Sequence, residues 1–353
     1  MVVQRIWNFI SRHRKKFIFT GLLAGGAYYF IKVKLPKVQQ DLIDSFMKEL
    51  AAGQKSSNGQ VEEQQRRASF QKHQEVSDSY ARKGLRSFLT RLQSCFKIDE
   101  CHAKVKAASD SQTKVAAFKE LQVECLSLVA SAAYSLNVIL MLHRVQFNIA
   151  GREATAGQAA EANDAPSAME ELIKSTDYFL EKGPAMVVDA TRKAVQGTTS
   201  LQPETPVSTS SLSSFFQEVF QEVEKDIWAD SKGSALLPPD SASASAQAKQ
   251  FLDEARDYLE SPQLLVTFRS LATATADRLP QELAKTGGKA AGLKEGQVPL
   301  ATLFGGCITL GKSIFQADPD GTESAEAFIQ SFSDQPVVNK FCEALYFQEA
   351  ATK

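Results

Sequence analysis

The stretch from residue 114 to residue 149 constrains the fold of this 353-residue chain more than any other feature. Its apolar side chains recur at helical spacing on two adjoining faces, and no charged residue lies between Cys125 and Leu142. A helix that is apolar on most sides must be buried, either inside a helical bundle or in a lipid bilayer. Serines interrupt the apolar segment, and charged residues come directly before it. The stretch therefore predicts a central helix that is buried by other helices rather than a membrane span.

Shorter segments along the chain also carry apolar residues at positions i, i+3, i+4 and i+7, whereas the alternation typical of β-strands is scarce. We therefore predict an all-α fold, a helical bundle around one long central helix. Turn-forming and small residues predict loops near residues 151–166, 197–212, 230–247 and 286–297.

Two segments of the predicted bundle need separate comment, one with helix stop and start residues and one that is polar throughout. The stretch from Met169 to Gly197 predicts an αα-hairpin, in which one helix closes at Gly183 and Pro184 starts the next. Residues 53–80 are polar throughout. Their composition is compatible both with a solvated helix and with a flexible stretch, so their conformation stays open.

An apolar run near the N-terminus, residues 17–33, predicts a single transmembrane helix. Its uncharged part is short for a hydrocarbon core of about 30 Å, but lysines at both ends can lengthen the span by reaching the interface. A cleaved signal peptide and a buried helix are the alternatives, although no small-x-small cleavage site follows the run. We therefore predict a short basic segment at 1–16, the anchor at 17–33 and a helical domain at 38–353.

The segment before the anchor is basic. Arg12, Arg14, Lys15 and Lys16 adjoin the apolar run, and no acidic residue precedes it. We predict that these four residues assist membrane targeting, and they suit anionic lipid head groups. More basic residues lie before the anchor than after it, and by the positive-inside rule this favours an N-terminus in the cytosol. Lys32, Lys34 and Lys37 reduce the asymmetry, so the charges alone leave the orientation open.

The composition argues against several classes of protein. The net charge is −1, so nucleic acid is not an expected partner. Five cysteines at irregular spacing form no disulfide framework, and no N-x-[ST] glycosylation acceptor occurs. Both observations favour a reducing, cytosol-facing main domain. The C-x5-C-H spacing of Cys95, Cys101 and His102 does not match a zinc site, so no metal or cofactor is expected.

One segment, Gly306–Ser313, fits the P-loop expression G-x-x-x-x-G-K-[ST]. A P-loop needs a buried strand before it and an α/β sheet around it, and only about forty residues follow. The apolar residues from Leu300 to Ile314 also keep helical spacing through the motif. We therefore predict that the chain is not an enzyme. A membrane-tethered P-loop nucleotide hydrolase is the alternative.

An aromatic residue, Phe118, falls in the first turns of the predicted central helix. At the edge of a bundle such a residue can anchor a partner in a groove. Its spacing alone favours a position in the core, so the sequence pattern leaves two interpretations of this residue.

The N-terminal region contains IWNFISRHRKKFIFTG, residues 142–151 read LHRVQFNIAG, and Glu260–Pro262 and Val298–Ala301 are weaker matches. Together these four segments resemble the peroxin-3 family of membrane-anchored peroxisome biogenesis factors. The resemblance implies a single-pass protein of the peroxisomal membrane, also in the endoplasmic reticulum during biogenesis. It further implies a short N-terminus inside the organelle and a helical bundle in the cytosol. This orientation is opposite to the one that the flanking charges predict. We follow the resemblance because the cysteine and glycosylation patterns agree with it.

The resemblance also implies a partner and a binding site. Members of the family dock peroxin-19, a soluble chaperone and receptor that carries newly made peroxisomal membrane proteins, by holding an N-terminal amphipathic helix of it in a hydrophobic groove. The groove anchor of the family is a tryptophan, and Phe118 takes its position here. By the same resemblance Leu121 and Val115 line the groove and Lys114 belongs to its basic rim. The implied function is docking without catalysis. An organelle tether, which would not need Phe118, is the other alternative.

Overall fold

The computed structural model describes residues 59–155, 165–198, 202–228, 236–239, 245–294, 296–314 and 323–347. All of them belong to Leu50–Lys353, the second of two compact units into which the chain divides. The predicted basic segment at 1–16 and the predicted anchor at 17–33 lie outside the described residues. Most of the residues in the predicted loops at 151–166 and 230–247 also lie outside them.

The described residues form eleven α-helices, two 3-10 helices (Gly288–Lys294 and Leu300–Leu303) and one pair of two-residue strands. The strands β1 (Pro206–Val207) and β2 (Val298–Pro299) pair antiparallel. The α-helices are α1 (Gly59–Ser94), α2 (Ile98–Ala107), α3 (Ser111–Thr155), α4 (Ala165–Lys174), α5 (Thr176–Thr198), α6 (Thr209–Trp228), α7 (Ala246–Leu259), α8 (Pro262–Lys285), α9 (Phe304–Ser313), α10 (Glu323–Ser333) and α11 (Pro336–Phe347). The predicted all-α class is confirmed.

The centre of the bundle is α3, which has 45 residues and is about 68 Å long at 1.5 Å per residue. Every other α-helix of the described chain contacts it, and each residue from Cys125 to Arg152 is buried. The stretch Ser111–Ala154 is apolar and long enough to cross a membrane, but its most apolar window is completely buried by the surrounding helices. The prediction of a central core helix is therefore confirmed.

The polar residues 53–80, whose conformation the sequence leaves open, become helical from Gly59 onward as part of α1. The helix is exposed at residues 64–68 and increasingly buried after His73. Its later turns carry the apolar stripe that packs on α3 and α5, with Leu85, Phe88 and Leu92 nearly inaccessible to solvent.

The predicted αα-hairpin between Met169 and Gly197 is wrong. The chain breaks at Ser175, and Gly183 and Pro184 lie inside the continuous helix α5. Proline lacks the N–H that would bond the carbonyl four residues earlier, which is that of Leu180. The guanidinium of Arg91 on α1 donates to this carbonyl instead, over 3.3 Å. A hydrogen bond from a neighbouring helix thus satisfies the Leu180 carbonyl, which Pro184 leaves without a backbone donor.

A buried polar cluster holds α1, α3 and α10 together. We call Gln74, Asp78, Arg144, Asn148 and Ser333 the Arg144 cluster. The Arg144 side chain is 2% exposed and makes a bidentate ion pair with Asp78, with N–O distances of 2.9 and 2.7 Å. Gln74 accepts a third bond from the guanidinium and donates to Asn148, and the Ser333 hydroxyl donates to Asp78. Each of the three guanidinium nitrogens therefore donates at least one hydrogen bond, and the buried charge is paired, as a charge in a low-dielectric interior must be.

Two further residues of the segment 142–151 are buried for other reasons. His143 is fully buried, and desolvation lowers its pKa to about 4, so the ring is neutral at pH 7. Its Nδ1 lies 2.9 Å from the Ile139 carbonyl and donates to it in this neutral form. At Gly151 a Cβ atom would overlap the rings of His73 and Tyr346, so only glycine fits this contact between α3, α1 and α11.

Candidate partner-docking surface

The N-terminal end of α3 begins at a side-chain cap. The carboxylate of Asp110 accepts hydrogen bonds from the backbone N–H groups of Gln112 (2.9 Å) and Thr113 (2.8 Å). It also accepts one from the Thr113 hydroxyl. The Thr113 hydroxyl, followed by its N–H group, lowers the pKa of Asp110 because these bonds favour the ionised carboxylate. The cap satisfies N–H groups that have no partner within the helix and fixes the first turn.

This capped turn presents the residues that the resemblance implies as a site. Val115 is 44% exposed, and among the described residues only Val266 is another large aliphatic side chain with such exposure. Phe118, one turn further on, is half-buried, and Lys114 is exposed. Leu121 is 2% exposed and packs in the core beneath this face. The structure thus brings Lys114, Val115 and Phe118 to one exposed surface, with Leu121 below it.

Lysines flank the apolar pair on both sides. Residues three or four apart share a helix face, so Lys114 adjoins Phe118 and Lys119 adjoins Val115. Both lysines are exposed, and neither makes an ion pair with any described residue. We call Lys114, Val115, Phe118 and Lys119 the α3 surface. It combines an apolar centre with uncompensated positive charge. Sequence reasoning missed Lys119, which the i, i+4 relation to Val115 could have indicated.

The short helix α2 lies beside the α3 surface and is held by polar contacts. Lys104 pairs with Glu120 over 2.5 Å, and the backbone N–H of Lys97 donates to Glu124 over 2.9 Å. Arg192 on α5 pairs with the same Glu124 over 2.8 Å. The only buried residue of α2 is Cys101. This helix is therefore positioned by charges on α3 and α5 more than by apolar packing.

The segment that fits the P-loop expression is helical. The helix α9 runs from Phe304 to Ser313, so after its first turn the backbone N–H groups bond carbonyls of the same helix. Its glycines permit close packing: a Cβ at Gly311 would lie 2.7 Å from Leu128 Cγ, and one at Gly306 would lie 2.8 Å from Thr286 Oγ1. The prediction that helical spacing runs through the motif is confirmed, and this conformation does not form a phosphate-binding loop.

Within the described part of the chain no group of three His, Cys, Asp or Glu side chains is placed to hold a metal ion. Arg12, Arg14, Lys15 and Lys16, the predicted membrane-targeting residues, lie outside that part. Their role stays a prediction.

The chain is similar over most of its length to curated proteins of one kind. It is 24% identical over 311 residues to peroxisomal biogenesis factor 3 of Mus musculus, covering 80% of each chain. It is 22% identical over 312 residues to peroxisomal biogenesis factor 3 of Homo sapiens, again covering 80% of each chain. These similarities support the resemblance of the chain to the peroxin-3 family. No family model matches it.

The described segments that carry the resemblance have structural roles in the fold. Residues 142–151 contribute Arg144 and Asn148 to the Arg144 cluster. Ser261 caps α8 by accepting from the Leu264 N–H over 3.2 Å. Val298–Pro299 forms β2. The α3 surface differs from these segments, because its apolar side chain Val115 and its two lysines are exposed to solvent.

Proposed function

We propose that this chain acts in peroxisome biogenesis as a docking protein of the peroxisomal membrane. Residues 17–33 would cross the bilayer once and leave the helical bundle in the cytosol, with the basic residues from Arg12 to Lys16 near anionic lipid. The relatives named peroxisomal biogenesis factor 3 support the biogenesis role. The proposed partner is the N-terminal amphipathic helix of peroxin-19, which carries newly made membrane proteins.

The single observation that carries the docking proposal is the half-buried Phe118 beside the exposed Val115 at the capped start of α3. Exposed apolar side chains of a soluble surface gain free energy when a partner covers them, and aromatic residues dominate such interfaces. An amphipathic helix can cover both side chains with its apolar face and direct carboxylates at Lys114 and Lys119. This mode of binding needs no catalytic group, so we propose no reaction.

A titration with one aromatic variant tests the docking proposal. The full-length chain in lipid nanodiscs is titrated against a fluorescent peptide from the N-terminal region of peroxin-19, and binding is followed by anisotropy. Phe118→Ala is expected to weaken binding by about 2 kcal/mol, or roughly thirtyfold, as for an aromatic hot spot. Because Phe118 is half-buried at the edge of the bundle, its loss should leave the helical content unchanged.

Val266→Ala is the matched control, since Val266 is also exposed (60%) but lies on α8. Its neighbour Phe268 contacts Tyr134, which is sixteen residues beyond Phe118 on α3, or about 24 Å along the axis. This variant should bind like the wild type. Equal affinity of Phe118→Ala and wild type, with both chains folded, would contradict the docking site and favour a tether that does not use Phe118.

A further inference from the structure

An ion pair between α3 and α5 also holds the link between α1 and α2. Arg192 of α5 makes a bidentate pair with Glu124 of α3, with N–O distances of 2.8 and 3.0 Å. The guanidinium also donates to the Cys95 carbonyl over 2.6 Å and lies over the Phe96 ring, 5.1 Å from the ring centre. Glu124 accepts from the backbone N–H of Lys97 over 2.9 Å. The Arg192–Glu124 pair thus contacts three successive residues of the link and joins them to α3 and α5.

The other contacts of α2 are weaker. Of the ten residues of α2, all described, Cys101 alone is buried. The pair of Lys104 with Glu120 is open to solvent, with side-chain exposures of 58% and 52%, so water and salt screen it. The side chains of Arg192 and Glu124 are only 24% and 12% exposed, and their attraction is screened much less. The position of α2 therefore depends mainly on the Arg192–Glu124 pair.

Arg192 does not belong to the α3 surface, but α2 borders that surface. Glu124 lies six residues beyond Phe118, which is about 9 Å along the axis of α3. The bond from Lys104 to Glu120 brings α2 against the turn of α3 that follows Phe118. Arg192 can therefore influence docking only through the position of α2.

The contacts of Arg192 need the shape of its guanidinium as well as its charge. A planar fork can donate to a carboxylate and to a carbonyl at the same time, whereas a lysine donates from one nitrogen only. Asp189, one turn earlier on α5, is a second acidic neighbour, but it lies 3.9 Å away and its side chain is 81% exposed. This contact is therefore weak, and the guanidinium is committed to Glu124 and the link.

We propose that Arg192 is a positioning residue for partner docking. Through Glu124 and the link between α1 and α2, it fixes α2 beside the first turns of α3. Without the guanidinium, α2 moves away from α3 while the rest of the bundle stays folded, and the partner helix binds more weakly. This inference rests on the proposed function and couples the docking surface to a residue of α5.

A titration with the peroxin-19 peptide tests this coupling in the full-length chain in nanodiscs. Arg192→Met keeps the length of the side chain but removes the guanidinium, and it should weaken binding about tenfold, or roughly 1.4 kcal/mol. Arg192→Lys keeps the charge without the fork, so its affinity should lie between those of wild type and Arg192→Met. Lys193→Met is the matched control, because Lys193 is the next residue of α5 and pairs instead with Asp226 of α6. It should bind like the wild type.

Alkylation of two native thiols measures the position of α2 without any partner. Cys101 of α2 is 4% exposed, and iodoacetamide should modify it about tenfold faster in Arg192→Met than in the wild type. Cys342 of α11 is completely buried and should react equally slowly in both chains. Mass spectrometry of peptide fragments separates the two thiols. A general loss of stability, unlike a movement of α2, would accelerate both.

The outcomes separate the two proposals. If the wild-type chain does not bind the peptide, the docking function itself fails, and the coupling fails with it. If the peptide binds and depends on Phe118, three results overturn only the positioning role of Arg192. These are wild-type affinity of Arg192→Met, unchanged alkylation of Cys101, and equal acceleration at Cys101 and Cys342.

Discussion

At the scale of single residues, the Arg144 cluster is a place in the described part of the chain where we expect substitution to be costly. Arg144 and Asp78 are both nearly inaccessible, with side-chain exposures of 2% and 11%. Arg144→Met removes one charge and leaves the other without its bidentate partner. Because an uncompensated buried carboxylate is costly, we expect the free energy of unfolding to fall by about 3–5 kcal/mol. Urea denaturation followed by circular dichroism measures this change.

An exposed ion pair supplies the control for that substitution. Lys193 pairs with Asp226 over 2.9 Å, and the two side chains are 75% and 38% exposed. Solvent screens this pair, so Lys193→Met should lower the free energy of unfolding by no more than about 1 kcal/mol. Similar losses for the two variants would show that burial does not determine the contribution of Arg144.

At the scale of elements, α5 shows how a neighbouring helix replaces a missing backbone bond. Pro184 leaves the Leu180 carbonyl without its usual donor, and Arg91 donates to it. Arg91→Met should therefore lower the free energy of unfolding by about 1 kcal/mol. In a Pro184→Ala background the alanine N–H bonds Leu180 itself, so the same Arg91 substitution should cost little. A double-mutant cycle by urea denaturation measures the difference.

If the Arg91 substitution costs the same free energy in both backgrounds, its bond to Leu180 does not compensate for the proline.

The helix α5 also explains why the sequence predicted a hairpin. Gly183 and Pro184 are local stop and start signals, whereas the contact that overrides them comes from Arg91, 89 positions before Leu180. Helices whose apolar residues recur at i, i+3, i+4 and i+7 were predictable, because this spacing is a local pattern that burial requires.

At the scale of the whole molecule, the acid sensitivity of the fold should depend on His143. Its pKa is about 4 in the folded chain against 6.5 when unfolded. Between these two pH values the His143 ring is protonated in the unfolded chain but neutral in the folded chain. The contribution of the neutral ring to the free energy of unfolding is therefore fully present above pH 6.5 and is lost as the pH falls toward 4. We expect this residue to account for a loss of about 3 kcal/mol over that range.

The difference between wild type and His143→Gln isolates this contribution, because other titrating groups affect both chains. Denaturation midpoints measured from pH 7.5 down to pH 4 should converge for the two proteins as the pH falls. Parallel pH profiles would mean that His143 is not the residue that titrates.

Long-range contacts also set the limit of what the sequence could predict about the site. The apolar pattern identified α3, and the resemblance pointed to Phe118. Neither could place Asp78 beside Arg144, 66 residues away, or Ser333 beside Asp78, 255 residues away. The contacts of Arg192 likewise depend on where α5 packs against α3. Periodicity reports which side of a helix is apolar, but it does not report which segment covers that side.

The central position of α3 has a consequence for the synthesis of the protein. A ribosome completes this helix while α4 to α11 are still unmade, although most of the helices that bury it come later in the chain. At that stage a segment of mean hydropathy 1.9 has little to cover it, and its composition is that of a membrane span. For a protein made beside a bilayer, we therefore expect the helix to stay out of lipid only if the described helices that follow it fold around it in time.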